Sequence, residues 1–207
     1  MKQAMPSHTP PAIRDAATII LIREIAGETC VLMGQRGQSA AFMPGKFVFP
    51  GGAVDPQDFN DTAVLGLSET CRARLAVEAS PALASAIVVA GRRELVEETG
   101  LTLRPDAPVR FMFRAVTPPK RSRRFDARFL MCQAQDVVED LDDFSRAEDE
   151  LSYLQWVTLP DALSLDLPFV THLVLAELQE PKMMSGPPSD VPFYDHRGAV
   201  GRITSIR

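Results

Sequence analysis

Apolar and polar positions alternate in blocks along the chain. Residues 16–23 and 29–35 are two apolar, β-branched runs separated by the polar "EIAGE", a spacing that predicts a hairpin with a loop. "GQSAAFMPGK" reads as a loop, and "FVFPGGAVDP" as a short strand ending in a Pro-Gly-Gly turn. Ser68 is placed to cap a helix reaching about residue 79. Ser80 followed by Pro81 starts a second helix, which should run to residue 99 and stop at Gly100. Beyond it, "VRFMFRAVTP" and "FDARFLMCQAQ" predict two strands joined by the basic loop "PKRSRR". An acidic stretch at 136–150 follows, then the strand "LSYLQWVTL" and a terminal helix within residues 160–178. Strands and helices interleave, so the expected class is α/β (α+β), a sandwich of helices over a mixed sheet.

Composition narrows this picture. At 207 residues, 45% hydrophobic, the chain can bury one sizeable core. The organisation expected is a loose tail over 1–15, one domain over 16–180 with a helical insert at about 59–85, and a C-terminal tail over 181–207 packed on that domain. A net charge of −5 argues against a nucleic-acid partner. The apolar run at 16–22 is too short to span a bilayer and lacks the flanks of a signal peptide. Cys30, Cys71 and Cys132 form no pairing pattern and read as buried reduced thiols, so no membrane and a cytoplasmic location are expected. His8, His172 and His196 are scattered and receive no catalytic role.

The candidate chemistry lies in "GRRELVEETGL". With 100° per residue, Glu94, Glu97 and Glu98 share an arc of roughly 100° on one helix. That arc is apolar one and two turns earlier, at Ala90, Ile87 and Leu83, so the carboxylates emerge beside the core. Like charges at i,i+4 repel, and a helix C-terminus disfavours anions. A crowded set of acids placed against both effects fits a hard divalent cation such as Mg²⁺ shared with substrate phosphates.

These residues resemble the second half of the Nudix hydrolase signature, G-x5-E-x7-R-E-U-x-E-E-x-G-U, where U is aliphatic. Arg93, Glu94, Leu95, Glu97, Glu98, Gly100 and Leu101 each fall on a motif position, and upstream "PGGAVDPQD" supplies Gly52. Asp58 stands where the family has Glu, and 34 residues separate it from Arg93 in place of seven. An insert of this size is tolerable in a loop because closure entropy grows slowly with length. The long insert, "RGQSAAFMPGKFVFPGGAVDPQD" and "TPPKRSRRFDARFLM" resemble the coenzyme A and acyl-CoA diphosphatase members. Arg36, Gly45, Phe49, Pro50, Gly51 and Gly52 are in place, while Gly37 and Ala41 depart from that pattern.

The resemblance implies a Nudix-type α/β/α sandwich and metal-dependent hydrolysis of a diphosphate in a nucleotide-type substrate. CoA or acyl-CoA is the leading substrate, giving 3′,5′-ADP and (acyl-)phosphopantetheine. ADP-ribose or a nucleotide sugar is the alternative, and a non-catalytic ligand-sensing domain is the reading from a different class. It implies Mg²⁺ or Mn²⁺ on Glu94, Glu97, Glu98 and the Gly52 backbone carbonyl, with Arg93 orienting the glutamates. The general base stays open among Glu97, Glu98 and an acid of "SRAEDELSYLQW", where Glu148, Asp149 and Glu150 lie and Glu150 is the catalytic candidate. Arg36, Lys46, Arg121, Arg123 and Arg124 are candidate phosphate contacts, because guanidinium forks match phosphate oxygens. Phe42 and Phe125 could stack on a base. A homodimer is compatible with this reading.

Overall fold

The computed structural model describes residues 11–40, 42–60, 66–180 and 188–207. The tail over 1–10, Ala41, residues 61–65 of the insert and residues 181–187 lie outside the described residues. The expected hairpin is present as β1 (Ile13–Ile25) and β2 (Glu28–Arg36). Next come β3 (Phe47–Val48), β4 (Gly51–Ala53) and a 3-10 turn, Pro56–Phe59. Helices α1 (Glu69–Leu75) and α2 (Pro81–Thr99) precede β5 (Arg110–Val116) and β6 (Arg124–Gln133). The chain continues as β7 (Leu151–Thr158), α3 (Leu159–Ala162), α4 (Phe169–Leu178), β8 (Val191–Asp195) and β9 (Arg202–Ile206).

Among the described residues these strands form one mixed sheet of nine, in the order β3-β2-β1-β6-β5-β8-β9, with β4 on β1 and β7 on β2. The parallel β1–β6 pairing runs from Ile13 opposite Arg124 to Ile22 opposite Gln133 and forms the spine of the sheet. Side chains of successive strand residues point to opposite faces, so β1 feeds two cores. Ala17, Ile19 and Leu21 pack with Ile87, Ala90 and Leu95 of α2. Ile20 and Ile22 pack with Val174, Leu175 and Leu178 of α4 on the other face. The result is the three-layer α/β/α arrangement that the interleaved pattern predicts. Leu95 and Ile19 are fully buried, and each such side chain contributes about 1.5–3 kcal/mol of burial.

The caps act where the sequence places them. The Ser68 hydroxyl accepts from the Cys71 N–H at 3.2 Å, and Ser80 accepts from Leu83 N–H at 3.1 Å. Gly100 ends α2 in the left-handed region, φ 75°, where a Cβ would be strained.

Three boundaries differ from expectation. α1 stops at Leu75, not near 79, because Glu78 turns left-handed (φ 56°) and redirects the chain into Ser80. β1 already starts at Ile13, inside the segment expected to be loose. Within the segment expected to pack on the domain as a tail, residues 188–207 carry two strands: β8 pairs parallel to β5 and antiparallel to β9, lengthening the sheet. The insert helps hold that extension. Cys71 and Leu75 enter the core, and Arg74 donates to the carbonyls of Pro188 and Ser189, each at 2.6 Å.

Candidate active site

The Pro-Gly-Gly segment is laid against β1, with Ala17 opposite Gly52 and Thr18 opposite Gly51, and the Ile19 N–H donates to the Pro50 carbonyl at 2.8 Å. The last turns of α2 pack onto it. The Gly51 N–H donates to Glu98 Oε2 at 2.7 Å. The Glu94 carboxyl occupies the space where a side chain at position 52 would begin: a Cβ there would lie 2.3 Å from Glu94 Oε1. Glycine at 52 is therefore a steric requirement of Glu94's position.

Glu98 is 2% exposed, and its Oε1 is buried with no hydrogen-bond partner. Burial raises its pKa to about 8, against the lowering effect of the Gly51 N–H. Glu94 is raised as well, again chiefly by burial, although Arg93 opposes the shift. Glu97 is more open, with its side chain 39% exposed.

Arg93 organises the cluster. Its Nη1 donates to Glu94 Oε1 and Glu97 Oε2, both at 2.9 Å. On its other side, Nε and Nη2 grip the two oxygens of Asp58 at 3.0 and 3.1 Å, and Nη2 also donates to the Ala53 carbonyl at 3.0 Å. The Asp58 side chain, 1% exposed, further accepts from the Asp55 N–H at 2.7 Å. Asp58 thus ties the PGG turn to α2 through Arg93, and the shorter side chain reaches because the 3-10 turn brings position 58 to the guanidinium.

Beside this cluster a cavity of about 420 Å³ opens along β1, β5 and β6 toward the start of α4. Glu94, Gly52, Arg36, Arg123 and Glu150 line it, as do Phe42 and Phe125. Arg36 Nη2 donates to Glu150 Oε1 at 2.7 Å, while Arg36 Nε is buried without a partner. Two distant segments, the end of β2 and the start of β7, therefore meet at the cavity's edge.

Other candidates sit elsewhere. Lys46 pairs with Asp166 and does not line the cavity. Arg124 is buried and corrects the expectation of a phosphate contact: it donates to the carbonyls of Thr117, His196 and Arg197 and holds the β5–β6 loop to the segment after β8. Arg121 is exposed in that loop, away from the cavity lining. Glu148 and Asp149 are exposed, and the Glu148 N–H donates to the Glu97 carbonyl at 2.7 Å. No described residue of the insert lines the cavity. The pairing of Arg36 with Glu150 carried no sequence signal, because 114 positions separate the two.

Among the described residues, no three His, Cys, Asp or Glu side chains are already gathered around one point as a closed metal site. The donor set nonetheless suits a hard cation. Arg93 engages one oxygen each of Glu94 and Glu97, and Glu98 adds a buried oxygen that lacks a partner. A buried carboxylate oxygen without a donor is costly, and a cation removes that cost.

Comparison with solved structures gives a consistent assignment of the fold. A Nudix hydrolase from Alicyclobacillus acidocaldarius is 27% identical, with a TM-score of 0.63 over 80% of this chain and 90% of that one. The NUDIX domain of Shewanella oneidensis NrtR, solved with ADP ribose, is 16% identical, with a TM-score of 0.54 over 86% and 93%. The MutT protein from Methanosarcina mazei Go1 is 19% identical, with a TM-score of 0.50 over 79% and 91%. No protein-family model and no curated protein sequence matches the chain.

Proposed function

We propose that this Nudix-fold pyrophosphohydrolase splits the diphosphate bond of a nucleoside-diphosphate-linked substrate at the edge of the cavity, where Glu94, Glu97, Glu98 and the Gly52 carbonyl hold Mg²⁺ or Mn²⁺. The observation that carries this reading is Glu98: a carboxylate in the core layer, fixed by the Gly51 N–H, with its second oxygen buried and unpartnered. When bound, the divalent ion neutralises the diphosphate and lowers the pKa of an attacking water.

The chain's own residues do the rest. Arg93 spaces Glu94 from Glu97 and offsets their mutual repulsion, and Asp58 keeps the guanidinium from swinging away. Arg36 and Arg123 line the cavity and offer guanidinium groups to phosphate oxygens. A phosphate that takes Arg36 releases Glu150 from its ion pair, leaving its carboxylate to accept the proton of the water. Water adds to phosphorus, the bridging P–O bond breaks, and two phosphate monoesters leave.

CoA or acyl-CoA is the substrate first favoured, giving 3′,5′-ADP and (acyl-)phosphopantetheine, on the strength of the stretch 36–58. An ADP-ribose or nucleotide-sugar diphosphate is the second reading, favoured by a cavity lined by arginines and phenyl rings together. Three buried free cysteines suit a reducing cytoplasm. The test is a panel of CoA, ADP-ribose, dinucleotide polyphosphates and nucleotide sugars, with products identified by mass. Turnover that requires Mg²⁺ or Mn²⁺ and stops with a chelator is the expected result. No turnover of any member would overturn the reading.

A further inference from the structure

Glu150, the candidate base, is not fixed by burial: its side chain is 53% exposed and pairs with Arg36 at 2.7 Å. Once a phosphate takes Arg36, that support goes. The place of the carboxylate then depends on the backbone to either side, and both sides are anchored.

Downstream, the anchor is a β-bulge. Ser152 is opposite Gln35 and Gln155 is opposite Met33, so β7 sets Tyr153 and Leu154 against the single Gly34 of β2. Tyr153 is left-handed, φ 50°, a conformation that an L side chain rarely adopts. A side chain at Gly34 would begin 2.9 Å from the Leu151 Cβ, so glycine there lets the bulged strand close on β2. A bulge shifts the pairing by one residue and re-aims the side chains beyond it. Here it starts β7 with Leu151 buried opposite Arg36, and Glu150 comes to lie on that guanidinium.

Upstream, the anchor is the end of α2. A helix C-terminus leaves carbonyls without partners. The loop leading to Glu150 takes the Glu97 carbonyl through the Glu148 N–H at 2.7 Å, and the Gly100 carbonyl through Arg146 Nη2 at 2.8 Å. Glu139 completes the clasp: it accepts from the Thr102 N–H at 2.6 Å and pairs with Arg146 at 2.9 Å. A Cβ on Gly100 would lie 2.9 Å from the Arg146 Cβ, so this glycine also permits the loop's approach. Arg146 is the one cation in the acidic stretch 136–150, and a cation suits a helix C-terminus. The helix that carries Glu94, Glu97 and Glu98 is thereby tied to a residue four positions before Glu150.

We infer that Arg146 is a positioning residue for hydrolysis: by clasping its loop to the end of α2, it holds Glu150 at a fixed place relative to the three glutamates. The inference rests on the reading of the site as a diphosphate hydrolase with Glu150 as its base. Arg146 does not line the cavity and acts through Glu150.

The test is a double-mutant cycle of Arg146→Ala and Glu150→Gln on a diphosphate that wild type turns over. Misplacing a reacting group by about 1 Å costs up to about 100-fold. Arg146→Ala should therefore lower kcat about 10-fold or more, with KM within about 3-fold. Glu150→Gln should lower kcat at least as much. Effects that act through one group do not add, so Arg146→Ala placed on Glu150→Gln should cost less than about 2-fold further. Arg146→Lys, which keeps a donor for the Gly100 carbonyl, should recover most of the loss. In Arg146→Ala, Mn²⁺ affinity read by paramagnetic resonance should be unchanged, and the Glu148 amide should exchange its hydrogen about 10-fold faster or more. Losses that multiply in the double variant would overturn the inference, because a cap that merely stabilises α2 gives that result. So would wild-type kcat, unchanged exchange or weakened Mn²⁺ binding in Arg146→Ala. Wild-type turnover in Glu150→Gln would instead remove Glu150 as the base, and a wild type inactive on every diphosphate would remove the hydrolase reading; with either, the inference falls too.

Discussion

Consider Glu98→Gln in the metal-free protein. Glu98 is almost fully buried, with one oxygen on the Gly51 N–H and the other unpartnered. Its folded-state pKa is raised to about 8 from 4.5, so the folded protein prefers the protonated form. The sign follows from linkage: the contribution to stability is fully present below about pH 4.5 and is lost as pH rises through 8. The loss approaches about 1.4 kcal/mol per pH unit inside that window, or about 4 kcal/mol between pH 5 and pH 9. Glutamine has the same shape and no charge to lose. The difference in melting temperature between wild type and Glu98→Gln should therefore widen from pH 5 to pH 9, with the variant becoming the more stable. For a chain of this size about 4 kcal/mol corresponds to roughly 10 °C. Titrating groups that do not interact with Glu98 are common to both proteins and cancel in the difference, whereas Glu94 and Glu150 are coupled to it and titrate with it. Mg²⁺ favours the carboxylate, so it should close the gap by stabilising wild type alone. The same substitution should lower turnover by about 100-fold or more, because a lost ligand removes several kcal/mol of transition-state stabilisation. Calorimetric scans at five pH values, with and without Mg²⁺, measure the effect. Parallel melting curves across the range, or wild-type turnover in the variant, would refute the argument.

Two further substitutions probe the neighbouring structure. Gly52→Ala places a methyl 2.3–2.6 Å from the Glu94 carboxyl, so Glu94 must move; Mn²⁺ affinity read by paramagnetic resonance should fall about 10-fold or more, with the fold retained. Asp126→Ala breaks the buried pair in which Arg114 Nε and Nη2 donate to the Asp126 carboxylate at 2.9 and 2.7 Å. It should cost about 3–5 kcal/mol in denaturant unfolding, because the guanidinium is left without its partner in the core.

Local chemistry in the sequence determined much of this protein. Ser80, Pro81 and Gly100 set the limits of α2, since caps and φ restrictions act within a few residues. The spacing of Glu94, Glu97 and Glu98 placed three carboxylates on one side of that helix. The continuous apolar run at 16–22 announced a buried strand, though not which helices would cover its two faces. Long-range pairing decided the rest. The parallel β1–β6 register brings Ala16 beside Ala127 and lines one cavity with residues more than a hundred positions apart. The meeting of Arg36 with Glu150, and the diversion of Arg124 to backbone carbonyls, depend on which loops the sheet order brings together. The C-terminal strands likewise form only because β5 offers them an edge. A periodic pattern encodes what one segment can become, whereas contacts between distant segments follow from packing the whole chain around two cores.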